Sequence, residues 1–373
     1  MERLAFQKGQ MQMMSRPINF CSGPAALPAP VLQRMQAELP DFAGSGLSVM
    51  EHSHRDARIV GLFEETESLL KSLLGLGPEY RALFLPGGAT LQFAQVPMNL
   101  LSPGGCGAYL TTGAGSEKAI KECSRYGEVV EVASSKASQY TEIPARADWH
   151  IPDSASYFHL CTNETIHGVE WFGSLADVNI PVVADMSSHL LSRQMPMHEF
   201  SLVYAGAQKN LGTAGVTIVL LREDLQLEPQ SLTPSLMRYA NQLANDSMVN
   251  TPPVFPVWVL NLVLEWVLEC GGVAEMESRN QRKAEMLYTA IDQSGLYHNP
   301  VVTAARSWMN VPFVLHDATR DGAFLKQAQD HGLLNLKGHR SVGGMRASIY
   351  NAITEHDVQT LIDFMQEFER TSA

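Results

Sequence analysis

The chain has 373 residues, 45% hydrophobic and 18% charged, with a formal net charge of −12, which leaves room for a large buried core in one or two domains. The acidic balance, with no run of Lys and Arg, excludes a general nucleic-acid binder, and no apolar stretch is continuous enough to span a membrane. Cys21, Cys106, Cys123, Cys161 and Cys270 are odd in number and lack CxxC spacing, which excludes a disulfide framework or zinc site and predicts reduced thiols in the cytoplasm.

The N-terminal "MERLAFQKGQMQMMSRP" lacks the apolar core of a signal peptide. In "VMEHSHRD", His52 and His54 stand two apart without a ligand-spaced cluster of Cys or carboxylates, so a loop pair is expected and no metal. From Asp56 to Leu74 the apolar residues, Ile59, Leu62, Phe63 and Leu70 among them, fall on helical spacing that "GLGP" ends. "YRALFL" then reads as a strand, "PGG" as a tight turn and "ATLQFAQVPMNLL" as a helix. The alternation continues through "CGAYLTT" with "EKAIKECSRYG", then "ASYFHLCT", "PVVADMSS" and "VTIVLL", short apolar runs bounded by turn residues. Such alternation predicts an α/β domain with a mainly parallel sheet, whose ligands gather at the carboxyl ends of the strands. After the helix "VWVLNLVLEWVLECGG", Gly271 and Gly272 predict a hinge. Beyond it "MNVPFVL", "GLLNL" and "MRASIY", with helices between, predict a smaller α+β domain.

Three features lie at the ends of the apolar runs. Lys209 of "YAGAQKNLGTAG" is the one charge in a stretch of small, apolar and amide residues, a costly place to bury an ammonium. Asp185 follows the run "PVVA", and Gly87 and Gly88 precede Thr90 at a helix start, where free amides attract phosphate. Alone, each has an ordinary reading: a lysine that snorkels, an aspartate that caps a helix, a plain turn. Together they supply what a protein contributes to pyridoxal 5'-phosphate chemistry. That is an amine for a Schiff base, a carboxylate to keep the pyridine nitrogen protonated, and a phosphate cup. An apolar setting also favours the neutral amine that a proton acceptor needs.

"FCSGPAALP", "VMEHSHR", "TNETIHG", "YAGAQKNLG", "NTPPVF", "GGVAEM" and "KGHRSVGGMRASIYNA" occur in this order and resemble the phosphoserine aminotransferases, fold-type I enzymes that use pyridoxal phosphate, from about Ile18 to Glu369. The resemblance implies a large mainly parallel-sheet domain over 27–270 and a small α+β domain built from 17–26 and 271–373. An N-terminal extension over 1–16 is expected to be disordered. It further implies transfer of an amino group from L-glutamate to 3-phosphohydroxypyruvate in serine biosynthesis, by a homodimer with shared sites. Similar bacterial enzymes also serve the phosphohydroxythreonine step of pyridoxine biosynthesis.

Carried over by position, Lys209 forms the imine and shuttles the proton, and Asp185 pairs with the pyridinium nitrogen. Thr165 hydrogen-bonds the cofactor, Ala89, Thr90, Ser187 and Gln208 lie at its phosphate, and Asn250 and Thr251 reach that phosphate from the neighbouring subunit. Both substrates carry two anionic groups, which suits the planar fork of arginine. The resemblance gives Arg346 to the α-carboxylate and His339, Arg340 and Arg55 to the distal anion, Arg55 coming from the partner. One departure stands out: the family usually has a tryptophan stacked on the cofactor ring where this chain has Gly115. The glycine predicts looser cofactor binding, and it opens a second reading, a cofactor-binding paralogue with reduced activity.

Overall fold

The computed structural model describes residues 16–372, so the extension expected over 1–16 lies outside the described residues except for Arg16. After a short strand β1 (Ile18–Asn19) come α1 (Ala29–Glu38) and α2 (Ala57–Leu73). Helix α2 starts where Asp56 Oδ1 accepts the amide of Arg58 at 2.9 Å, an N-cap that satisfies one of the free amides of the first turn. The stripe of Ile59, Leu62, Phe63 and Leu70 is buried, as the helical spacing demands.

The main sheet then forms from β2 (Tyr80–Leu85), β3 (Cys106–Thr111), β4 (Glu128–Ser134), β5 (Tyr157–Cys161), β8 (Val182–Asp185), β9 (Leu202–Gly206) and β10 (Thr217–Arg222). Helices α3 (Gly88–Leu100) and α4 (Ala114–Cys123) follow β2 and β3, and a short hairpin of β6 (Asn163–Glu164) and β7 (Val169–Glu170) follows β5. The order across the sheet is β2-β10-β9-β8-β5-β3-β4. From β9 to β4 every pairing is parallel, whereas β10 runs antiparallel to both neighbours. The connection 207–216 carries Lys209 and is too short for the crossover that parallel pairing requires, so the chain turns straight back. Every residue of β5, β8 and β9 is buried, since layers cover both faces of the sheet.

Beyond α5 (Tyr239–Ala244), helix α6 (Val254–Glu269) packs into the main core and meets α7 (Gly272–Gln293) at a bend of 81°. Gly271 and Gly272 turn the chain there with φ of 106° and 77°, values that glycine adopts without strain. Helix α7 leaves the main core after Val273 and enters a second one at Ala284. That second core is built with β11 (Tyr297–His298), β12 (Asn310–Leu315), α8 (Asp321–Asp330), β13 (Leu333–Leu334), β14 (Met345–Ser348) and α9 (Glu355–Ser372). Strands β11, β12 and β14 form an antiparallel sheet. The N-terminal segment joins this unit: Ile18 of β1 pairs in parallel with Leu333 of β13, and Phe20 is buried in the second core. Among the described residues no single helix is long and apolar enough to cross a membrane.

Candidate active site

A cavity of about 340 Å³ lies at the carboxyl ends of β5, β8 and β9, where the second core unit brings β14 over the main sheet. Sites for small molecules span roughly 300–1,000 Å³. Volume alone does not locate the chemistry, because a larger cavity of about 780 Å³ flanks α2, and its Arg81 is spent on Glu67 and Asp246.

Asp185 ends β8 opposite Tyr204 of β9, so the sheet sets the aspartate beside the turn that carries Lys209. Lys209 Nζ donates to Thr165 Oγ1 at 2.6 Å. The buried Asp185 accepts the amide of Ser187 through Oδ1 at 2.9 Å, and the Ser187 side chain also bears on its carboxyl. Burial is the largest influence on both groups. It pushes the Lys209 amine down and the Asp185 carboxyl up, and their attraction for each other opposes the shift in each case.

The start of α3 forms another wall of the cavity. Gly87 and Gly88 adopt φ of 98° and 66°, and no side chain caps the helix, so its first amides stay open to an anion. Ala89, Thr90, Ser187 and Gln208 line the cavity there. An uncapped helix start, a buried aspartate beside the turn that carries the lysine and an amine pushed toward neutrality fit pyridoxal phosphate.

Gly115 lies on the first turn of α4, whose end is capped from a distance. The carboxylate of Glu164 accepts the amides of Gly115 and Ser116 at 2.8 and 2.9 Å and the Ser116 hydroxyl at 2.7 Å. A Cβ added at Gly115 would stand 3.0 Å from Glu164 Oε2 and 3.3 Å from Cys161 Sγ. A side chain at this position therefore asks the Glu164 carboxylate to give by a few tenths of an ångström.

Arg346, on β14, donates through Nη2 to Ser22 Oγ at 2.6 Å and through Nη1 to the Thr165 carbonyl at 3.3 Å. No carboxylate pairs with it among the described residues, and its buried Nε has no partner. Tyr350 steadies this corner by donating its hydroxyl to the Ser22 carbonyl at 2.8 Å. His339 stands at the rim. Burial, then Arg346, Arg340 and Lys118, push its imidazole down.

Ten of the expected residues line this one cavity: Ala89, Thr90, Gly115, Thr165, Asp185, Ser187, Gln208, Lys209, His339 and Arg346. Four do not. Arg340 lines a neighbouring cavity of about 660 Å³ that shares His339, and Arg55, Asn250 and Thr251 are exposed away from the pocket. His52 is held by Ser45 at 2.9 Å and Asp56 at 3.3 Å. Sequence reasoning assigned no role to Ser22, Glu164 and Lys118, which also line the site. Ser22 and Glu164 stand inside the quoted motifs "FCSGP" and "TNETIHG", but nothing local marks partners 324 and 48 positions away.

The profile of the family Aminotransferase class-V matches residues 18–361. A phosphoserine aminotransferase of Nitrosomonas europaea is 50% identical over 368 residues, covering 96% of this chain and all of that protein. One from Pseudomonas aeruginosa is 49% identical over 360 residues, covering 96% and 99%. The solved phosphoserine aminotransferase of Bacillus circulans subsp. alkalophilus superposes with a TM-score of 0.94 at 43% identity, covering 96% and 99% of the two chains. The chain belongs to the phosphoserine aminotransferases of aminotransferase class V. It is a pyridoxal-phosphate-dependent transaminase with the fold of that family, an α/β architecture around a mostly parallel sheet. The reading as a paralogue of reduced activity gains no support from these relatives.

Proposed function

We propose that the enzyme transfers the amino group of L-glutamate to 3-phosphohydroxypyruvate, giving O-phospho-L-serine and 2-oxoglutarate, the transamination of serine biosynthesis in the cytoplasm. The observation that carries this reading is Arg346, a largely desolvated guanidinium without an acidic partner in the same cavity as Lys209 and Asp185. A desolvated cation held by two neutral acceptors is arranged to receive an anion.

Bound pyridoxal phosphate supplies a carbonyl for imine exchange and an electron-withdrawing ring that stabilises negative charge at the substrate Cα. Arg346 binds the α-carboxylate of either substrate. The Lys209 amine takes the proton from Cα and returns it, aided by burial that favours its neutral form. Asp185 holds positive charge on the ring nitrogen, Thr165 orients the ring, and the open amides of α3 with Ala89, Thr90, Ser187 and Gln208 hold the phosphate. His339 and Arg340 receive the distal anion. Stepwise titration tests the reading: glutamate alone should bleach the yellow enzyme and release one equivalent of 2-oxoglutarate. The phosphorylated keto acid should then restore the colour with one equivalent of phosphoserine. Reaction with glutamate but not with the phosphorylated acid would remove the substrate assignment.

The two ends of the substrate separate by mutation. Arg346→Ala is expected to lower kcat/KM for every substrate by roughly 10- to 150-fold, the loss of about 1.5–3 kcal/mol in a charged contact. Arg340→Ala should impair the phosphorylated acid most and an alanine-like substrate little. Equal losses on all substrates would refute this division.

Arg55, Asn250 and Thr251 enter the site from a second copy of the chain in this reading. All three are exposed, and beside them Met50 and Val249 expose 60% and 37% of their surface, apolar area of the kind an interface covers. Subunits carrying Lys209→Ala should complement subunits carrying Arg55→Ala. Half of a random mixture is heterodimer and each heterodimer has one intact site, so activity should recover to about a quarter of the unmodified level. An active monomer, or a mixed dimer without recovery, is incompatible with shared sites.

A further inference from the structure

Glutamate and the phosphorylated keto acid of the proposed reaction differ most at their far ends. One bears a carboxylate of a single charge, the other a phosphate monoester of about −1.5 to −2 at pH 7. An enzyme that alternates between them gains selectivity from a cation that answers the additional charge. Arginine suits a planar carboxylate, whereas lysine, a point charge on a flexible stem, suits a phosphate that can present any of its oxygens.

Lys118 has this placement. It stands on α4 three residues after Gly115, on the same face of the helix, and lines the cavity together with His339 and Arg346. It is exposed, and among the described residues no carboxylate pairs with it. The acids nearest to it in the helix are engaged elsewhere. Glu117 accepts the Tyr140 hydroxyl at 2.6 Å and the Lys136 ammonium at 3.0 Å, and Glu122 pairs with Arg125 at 3.3 Å. At the rim, His339 feels the charges of Arg346, Arg340 and Lys118, with no acid among the groups that bear on it. Positive charge thus converges where the far end of a bound substrate comes to lie, and Lys118 is its mobile member.

We propose that Lys118 is a specificity-determining residue, contacting the phosphate of the phosphorylated keto acid and contributing far less to glutamate. The proposal rests on the substrate reading above. It places the selection for phosphate on a residue of the same chain as Lys209, in addition to the arginines.

The test uses the holoenzyme with Lys118→Met, which keeps the stem and removes the charge, and Lys118→Arg, which keeps the charge. Each half-reaction is measured separately. Lys118→Met should raise the KM for 3-phosphohydroxypyruvate about tenfold, the worth of one charge-assisted contact, with kcat little changed. The KM for glutamate should move less than about twofold, and Lys118→Arg should retain most of the phosphate preference. Inorganic phosphate should inhibit competitively against the phosphorylated acid, and more weakly in Lys118→Met. A structural defect would impair both half-reactions together and leave phosphate inhibition unchanged. Equal changes in the two KM values, or none in either, overturn the role of Lys118 while the substrate reading stands. If the unmodified enzyme does not aminate the phosphorylated acid at all, the substrate reading fails and the proposal falls with it.

Discussion

Lys209→Ala is expected to fold normally, bind substrate acids, and lose transamination by at least about a thousandfold, within the range that a positioned proton-transfer group supplies. The geometry leaves no substitute. Lys209 Nζ lies 2.6 Å from Thr165 Oγ1 inside the cavity, and Lys118 is the one other lysine that lines the cavity, on an exposed position of α4. The stem of Lys209 is packed as well, since a Cβ on Gly23 would come within 3.3 Å of its Cγ, and the amide of Ala25 donates to the Gln208 carbonyl at 2.9 Å. Alanine gives up the stem packing but leaves the backbone bond that ties the turn to Ala25. Burying an ammonium also costs stability, so removing it should leave the thermal midpoint of the cofactor-free protein unchanged or raised. Borohydride reduction of the holoenzyme followed by peptide mapping should place the pyridoxyl group on Lys209 and nowhere else. A label on Lys118, or undiminished turnover by Lys209→Ala, would end the assignment.

The residues that were legible in the sequence share one property: their signal is local. Helix α2 was expected from Asp56 to Leu74 and spans Ala57–Leu73, because the cap at Asp56 and the buried stripe are both written within one segment. Strand β2 and helix α3 followed from "YRALFL" and the glycines after it. Lys209 and Asp185 stood out because a charge at the end of an apolar run contradicts its surroundings unless it has a use. What depended on distant partners was not legible. The apolar run 217–222 identifies a strand but carries no sign that β10 runs against its neighbours, since direction follows from the length of the connection and from what β9 pairs with. Ser22 becomes part of the site only because β1 pairs with β13 and carries the next few residues to Arg346. The clamp of Glu164 on the amides of Gly115 and Ser116 is likewise a contact that no spacing rule connects to that helix. Arg340 follows His339 in sequence, yet of the two only His339 reaches the cavity of Lys209, while both line the neighbouring one.

Asp185→Asn separates the cost of the site from its use, because activity and stability are expected to move in opposite directions. The asparagine oxygen can still accept the Ser187 amide that Oδ1 takes at 2.9 Å, so the end of β8 keeps its shape. What is lost is the negative charge that the proposed function sets against the ring nitrogen. Removing one preorganised electrostatic stabiliser typically costs about 10²–10³ in kcat, so turnover should fall by roughly two to three orders of magnitude, with a smaller change in glutamate binding. In the cofactor-free protein the sign reverses. Burial raises the folded-state pKa of Asp185 above its unfolded value, with Lys209 only partly opposing. The protonated form is then favoured by folding. Stability from this group is present below the unfolded pKa, near 4 for an aspartate, and is lost as pH rises through the higher folded value. At neutral pH the unmodified apoenzyme carries that penalty and Asp185→Asn does not. Urea unfolding of the two apoproteins should show the variant equal or more stable at pH 7, with the difference shrinking toward pH 4 as the carboxyl protonates in both states. Near-normal turnover, or an apoprotein weakened at pH 7, would show that Asp185 serves the fold and that the positive ring nitrogen is held by another group.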